Sequence, residues 1–310
     1  MERIEFIGAS SVGKSTLFDN MLSKRNSKKE WVTSEEFTVQ IARNLKIYPT
    51  VISKRTIGII VLKGNILREK HNRIARRLLG DYQEKVCIRH AGTYNALTNM
   101  IMDGAAEDCG LLSHLPTPFK KNKYLAHCHQ CIIEMLLLEF FDKNKTVVFN
   151  DKSIIRHNPK TSDKEAYMKA LNGSMEGDLK INPSGIIFCN LSLEENIERR
   201  LSRIHSGVIQ FTEKDLTEQE IRNLCRFEIE DAKQKAEVMK QAGVPVLEVD
   251  MAGNPDQNAN HVMDFIKRVS FQPLPKHGNA GKLTVNSSYN RSYPNKTRMH
   301  RLAQKVMNKT

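Results

Sequence analysis

Short apolar runs alternate with longer amphipathic stretches along most of this chain. Arg3-Ile4-Glu5-Phe6-Ile7 reads as a strand, and Ser15 to Leu22 as a helix with Leu17, Phe18, Met21 and Leu22 on one face. Glu30 to Thr33 predicts a second strand, and Ser34 suits the N-cap of a helix running through Ala42 or Leu45. Tyr94 to Met102 and Lys123 to Asp142 have helical spacing, with Pro116 and Pro118 breaking the chain between them. Val147 to Phe149, Gly185 to Cys189 and Val246 to Asp250 are apolar runs of strand length. Ser192 and Glu195 form a capping box for a helix from Leu193 to Ile204. Thr217 to Ala242 is a long amphipathic helix stopped by Gly243, and His261 to Val269 is the last helix of the series. The stretch Ile47 to Gly110 is the least decided. Thr56 to Leu62 fits a buried strand or a helix, and Leu67 to Leu79 pairs helical apolar spacing with Arg68, Lys70, Arg73, Arg76 and Arg77.

Strands that alternate with helices predict an α/β fold with a parallel sheet covered by helices on both faces. A ligand then belongs beyond the carboxyl ends of the strands. Gly8, Glu35, Asp151 and the loop after Asn190 all fall at such ends. We read residues 1–269 as one domain, with a substrate or insert region at about 45–118 and a lid at about 193–216. Residues 270–310 are polar and basic, which predicts a disordered tail.

Composition sharpens this only in part. A hydrophobic share of 40% in 310 residues suits a globular protein with a real core. No apolar run reaches membrane-spanning length, since Glu134 and Glu139 interrupt the best candidate. Glu2 and Glu5 stand where a secretory leader carries basic residues, and the six scattered cysteines fit free thiols, so a cytoplasmic location is expected. The net charge is +13, and the segment after Ser270 carries eight basic residues and no acid. That segment is a candidate arm for nucleic acid or an anionic surface, and the rest suits an enzyme of polyphosphates. Nothing in the composition fixes an oligomeric state.

The chemistry is concentrated in Gly8-Ala9-Ser10-Ser11-Val12-Gly13-Lys14-Ser15-Thr16, which fits G-x-x-x-x-G-K-S/T at every fixed position. The two glycines let backbone N–H groups approach phosphate oxygens, and the following helix adds partial positive charge at its N-terminus. Lys14 is a mobile charge for the β- and γ-oxygens, and the Ser15 hydroxyl is the expected Mg²⁺ ligand. The strand before and the helix after are the context this motif requires.

Loop, strand-end acid, strand-end Asp151-Lys152-Ser153, then strand, arginine-rich helix and strand: this order resembles the P-loop kinases of nucleosides and nucleotides, thymidylate kinases and deoxynucleoside kinases in particular. The resemblance is carried by residues 4–22, 146–156 and 183–268, and is absent across roughly 45–115. It implies a three-layer P-loop NTPase fold, ATP and Mg²⁺, and transfer of the γ-phosphoryl to a small-molecule acceptor such as a nucleoside, a nucleotide or a sugar. It implies that Asp151 holds Mg²⁺ with Ser15, although Lys152 replaces the family's arginine. It implies that Arg199 and Arg203, four apart on one helix face, clamp the moving phosphoryl group. Glu35 or Glu36 matches the position of a base for the acceptor hydroxyl.

Each of these has an ordinary counterpart. Asp151 also suits a helix cap, Glu35 a first-turn acid, and the arginines a solvated face opposite Glu195 and Glu198. Cys128-His129-Gln130-Cys131 has zinc-like spacing but no second ligand pair, and core packing is the better reading. The cluster Arg68 to Arg77 reads as an anion site or as a solvated helix face. Two other functions stay open: an ATPase acting with nucleic acid, and a nucleotide-binding module without catalysis.

Overall fold

The computed structural model describes residues 1–26, 30–44, 80, 82–141, 146–150, 153–172, 181–210 and 212–271. Asp151, Lys152, the Arg68–Arg77 cluster and the basic tail lie outside the described residues, as does most of the proposed insert. Residues Met1–Gln272 form one compact unit.

Five parallel strands make the sheet: β1 (Glu2–Ile7), β2 (Val32–Thr33), β3 (Thr146–Phe149), β4 (Gly185–Asn190) and β5 (Val246–Asp250). Their order is β2-β3-β1-β4-β5, so the first strand lies at the centre. Ile4 pairs with Val148 on one side and with Gly185 on the other. Each of the four connections between successive strands passes through helix, which is what parallel pairing requires.

The helices are α1 (Lys14–Lys24), α2 (Ser34–Asn44), α3 (Ala91–Ala106), α4 (Pro118–Phe141), α5 (Ile154–His157), α6 (Lys164–Asn172), α7 (Leu193–His205), α8 (Glu218–Gln241) and α9 (Pro255–Phe271). Residues 82–89 are also helical, and Gly110–His114 is a 3₁₀ turn. Alternate strand residues feed two separate cores. Ile4, Phe6, Val148, Ile187 and Cys189 pack with Leu17, Phe18 and Met21 of α1 and with Val262 and Ile266 of α9. Ile7, Val147, Phe149, Ile186 and Phe188 pack on the other face with α3, α4 and α8. Two-sided burial explains why β3 and β4 read as continuous apolar runs.

Several boundaries differ from expectation. Helix α4 starts at Pro118 rather than Lys123, because proline suits the first helical position. Helix α9 starts at Pro255 rather than His261, for the same reason. Ser34 is the first residue of α2, and Thr33 takes the cap: the Glu36 N–H donates to Thr33 Oγ1 at 3.0 Å and Thr33 N–H to Glu36 at 3.2 Å. Cys128 and Cys131 of α4 are buried in the core, as the packing reading expects. Among the described residues no three His, Cys, Asp or Glu side chains gather as a metal site. None of the described helices is long and apolar enough to cross a membrane.

Candidate functional site

The loop from Gly8 to Gly13 leaves the carboxyl end of the central strand and turns into α1. Gly8 has φ +140°, and a Cβ there would stand 2.5 Å from the Cys189 carbonyl of β4. Gly13, at φ +103°, caps α1. Between them Ser11 adopts φ +66°, a left-handed conformation unusual for serine. The Ser11 hydroxyl is buried and has no hydrogen-bond partner among the described residues. Lys14 is buried and folds back over the loop, its Nζ donating to the Gly8 carbonyl at 2.8 Å and to that of Ala9. Ser15 and Thr16 are exposed at the start of α1. The first turn of α1 contains no acid, so the helix N-terminus keeps its positive end uncompensated from within.

Helix α7 grips this loop. Asn196 Nδ2 donates to the Ser10 carbonyl at 2.7 Å. Arg199 donates to the Val12 carbonyl at 3.2 Å and to the Met251 carbonyl at 3.3 Å. A Cβ on Gly13 would stand 3.6 Å from the same guanidinium. The structure therefore brings Arg199 to the loop. It does not bring Arg203 there: that guanidinium pairs with the buried carboxylate of Glu213. Helical spacing puts the two arginines on one face, but they stand one turn apart and meet different partners.

The arginine between them matters more than the sequence suggests. Arg200 is fully buried and bonds Glu213 at 2.8 Å and Glu228 of α8 at 3.1 and 3.2 Å. Glu228 in turn accepts the Ser10 N–H at 2.6 Å. Burial opposes ionisation of Glu228, but Arg200, the Ser10 amide and Arg156 together hold its carboxyl below the usual value. Burial opposes the charge on Arg200 as well, and its carboxylate partners more than restore it. A chain of charges thus runs from the segment after α7, through α7 and α8, to the loop backbone. No motif marks Glu213 or Glu228, and only their wide separation in sequence from Arg200 kept the network out of view.

A cavity of about 450 Å³ opens against the loop. Gly8, Ala9, Ser10 and Ser15 line one side of it. Arg156 and His157 from α5 and His127 from α4 line another, and Phe227 and Leu111 add apolar wall. Its volume falls within the range of small-molecule sites. Glu35 is half-buried in the first turn of α2 and is not among the cavity's lining residues. Glu36 is engaged by Arg25 at 2.7 and 2.8 Å and by the α2 cap.

No protein-family model matches this sequence, and no curated protein matches it significantly.

Proposed function

We propose that this chain is a phosphotransferase of the P-loop NTPase fold, moving the γ-phosphoryl of ATP to a small acceptor with Mg²⁺. The reading rests above all on one observation. The Gly8–Thr16 motif sits at the carboxyl end of the central strand, with Arg199 on its backbone and a ligand-sized cavity at its mouth.

The residues suit a polyphosphate and its metal. Gly8 is required by the close approach of the loop to β4 and Gly13 by its positive φ, and the Ser11 hydroxyl is buried without a partner among the described residues. In this reading the loop amides and Lys14 bind the donor's phosphate oxygens, which replace the Gly8 and Ala9 carbonyls around the ammonium. Ser15 supplies a hydroxyl to the metal, and Asp151 a carboxylate. When bound, Mg²⁺ neutralises charge on the phosphates and orients them. Arg199 places a cation where negative charge is redistributed during transfer, and the tie of α7 to Ser10 and Val12 keeps it aligned. The fixed Arg200–Glu228 pair holds the loop backbone at Ser10, so the amides are oriented before any ligand arrives.

The test is direct. Lys14→Ala is expected to lower turnover of ATP with a productive acceptor by at least about a hundredfold, the range for loss of one charge-stabilising donor. Circular dichroism should stay unchanged. Full activity in that variant would refute the assignment.

A further inference from the structure

The segment after α7 is pinned by buried charge. Glu213 is 2% exposed, and its carboxylate is taken by Arg200 at 2.8 Å, by Arg203 and by the Gln210 N–H at 2.8 Å. The Gln210 carbonyl closes the turn, accepting the N–H groups of Glu213 and Lys214 at 3.0 and 3.1 Å. A buried carboxylate is costly to a fold unless it is paired. Here the pairing also fixes the backbone of a polar residue that lines the cavity.

Gln210 is exposed, as are Gly207, Val208 and Ile209 before it, so water reaches this side of the cavity. Its side chain turns to the loop, where Oε1 accepts the Ser10 hydroxyl at 3.4 Å. Asn196 holds the Ser10 carbonyl and Glu228 its amide, so the glutamine meets a fixed point of the loop. Ser10 and Ser15 line the cavity with Gln210. The carboxamide therefore stands on the side of the loop where the terminal phosphate of a bound nucleotide comes to lie.

The carboxylates on the same cavity are engaged: Glu228 by Arg200 and the Ser10 amide, Asp231 by Lys235 at 2.7 Å. A carboxamide places a nucleophile without a free charge. Its oxygen accepts a proton of water while its nitrogen donates to a phosphate oxygen. Orienting the attacking oxygen is sufficient in phosphoryl transfer, where catalysis is positioning and charge stabilisation.

Resting on the phosphotransferase reading, we propose a second activity of the same site: without an acceptor the chain hydrolyses ATP, and Gln210 orients the attacking water. The water oxygen bonds to Pγ as the bond from Pγ to the β,γ-bridging oxygen breaks. The bridging oxygen leaves on ADP with the electron pair. The proton of the water passes to a γ-phosphate oxygen, and inorganic phosphate is released. Gln210 keeps its own protons throughout.

The experiment uses the full chain with Mg²⁺ and ATP, no added acceptor, and isotopically labelled water, with phosphate release followed by mass spectrometry. Affinity for the non-hydrolysable donor adenylyl imidodiphosphate is measured by calorimetry, and stability by thermal melting. The wild type should release phosphate carrying solvent oxygen, well above the Lys14→Ala background. Gln210→Ala should lower that rate at least about tenfold and leave analogue affinity and melting temperature unchanged. Gln210→Glu, which keeps the length but sets a charge beside the phosphate, should be as slow. A wild-type chain that binds the analogue yet releases no phosphate above the Lys14→Ala background overturns the inference and leaves the phosphotransferase reading standing. An undiminished rate in either glutamine variant overturns it too. So does a loss of affinity or stability in Gln210→Ala, which would make the glutamine a prop of the loop. Failure of the wild type to bind the analogue brings down the phosphotransferase reading first, and this one with it.

Discussion

At the scale of single residues, the site depends on places where a side chain has no room or no water. Gly8 is the clearest. Its φ of +140° and the 2.5 Å approach of a notional Cβ to the Cys189 carbonyl leave no space for even a methyl group. The obstacle is backbone of the neighbouring strand β4, which cannot yield as a flexible side chain would. Gly8→Ala is expected to cost about 2–4 kcal/mol of stability, in the range of other severe single-site strain, and chemical denaturation would measure it. Cys189 itself is pushed up to about 12 by burial, offset only in part by Lys14 and Arg156, so it stays a neutral thiol under the loop. The glycines and Lys14 were legible because the motif specifies residue type by position. Arg156 was not, because nothing in its neighbours distinguishes it from any other helical arginine.

At the scale of elements, helices α7 and α8 act as a pair across the loop. Ile197 and Leu193 of α7 pack against Ile221 and Cys225 of α8, and the Arg200 charge network lies beside them. Glu228 joins this pair to the loop. Its folded-state pKa is lowered, so its contribution to stability is present above the unfolded value near 4.5 and is lost as pH falls through the depressed folded value. Glu228→Gln is expected to cost about 3 kcal/mol at pH 7, as for other buried pairs stripped of one partner. The gap between the variant and the wild type should narrow as pH falls below 4.5. Urea melts between pH 3 and pH 7 measure both; curves that stay parallel across that range would contradict the account. The elements were mostly readable in advance, since buried strands and amphipathic helices carry their period in the sequence. Their starts were less so. Pro118 reads as a breaker, yet it opens α4, and α9 likewise starts at a proline, Pro255.

At the scale of the whole molecule, the topology gathers distant segments at one end of the sheet. Parallel strands all point their carboxyl ends the same way, so loops from residues 8, 153 and 190 converge without further instruction. A ligand that binds only this assembled end must stabilise the entire unit by mass action. Mg²⁺-ATP at a hundredfold excess over its Kd should add about 2.7 kcal/mol. For a domain of this size, where each kcal/mol moves Tm by about 2 °C, that raises Tm by about 5 °C. Lys14→Ala should lose most of that rise in differential scanning fluorimetry. A nucleotide-dependent shift of equal size in the variant would place the binding elsewhere.

The sequence by itself determined the α/β class, the parallel sheet and the loop of Gly8 to Thr16, because period, length and motif are local properties. Tertiary structure alone decided which of several arginines serve that loop. Arg199, Arg200 and Arg203 share a helix and a chemistry; only packing sends the first to the Val12 carbonyl, the second into a buried pair and the third to Glu213. The same holds for Glu5 and Lys235, charged residues whose burial serves to hold a short turn. Such roles follow from what the fold places within about 3 Å of a charge, and hydrogen-bond reach cannot be read from spacing along a chain.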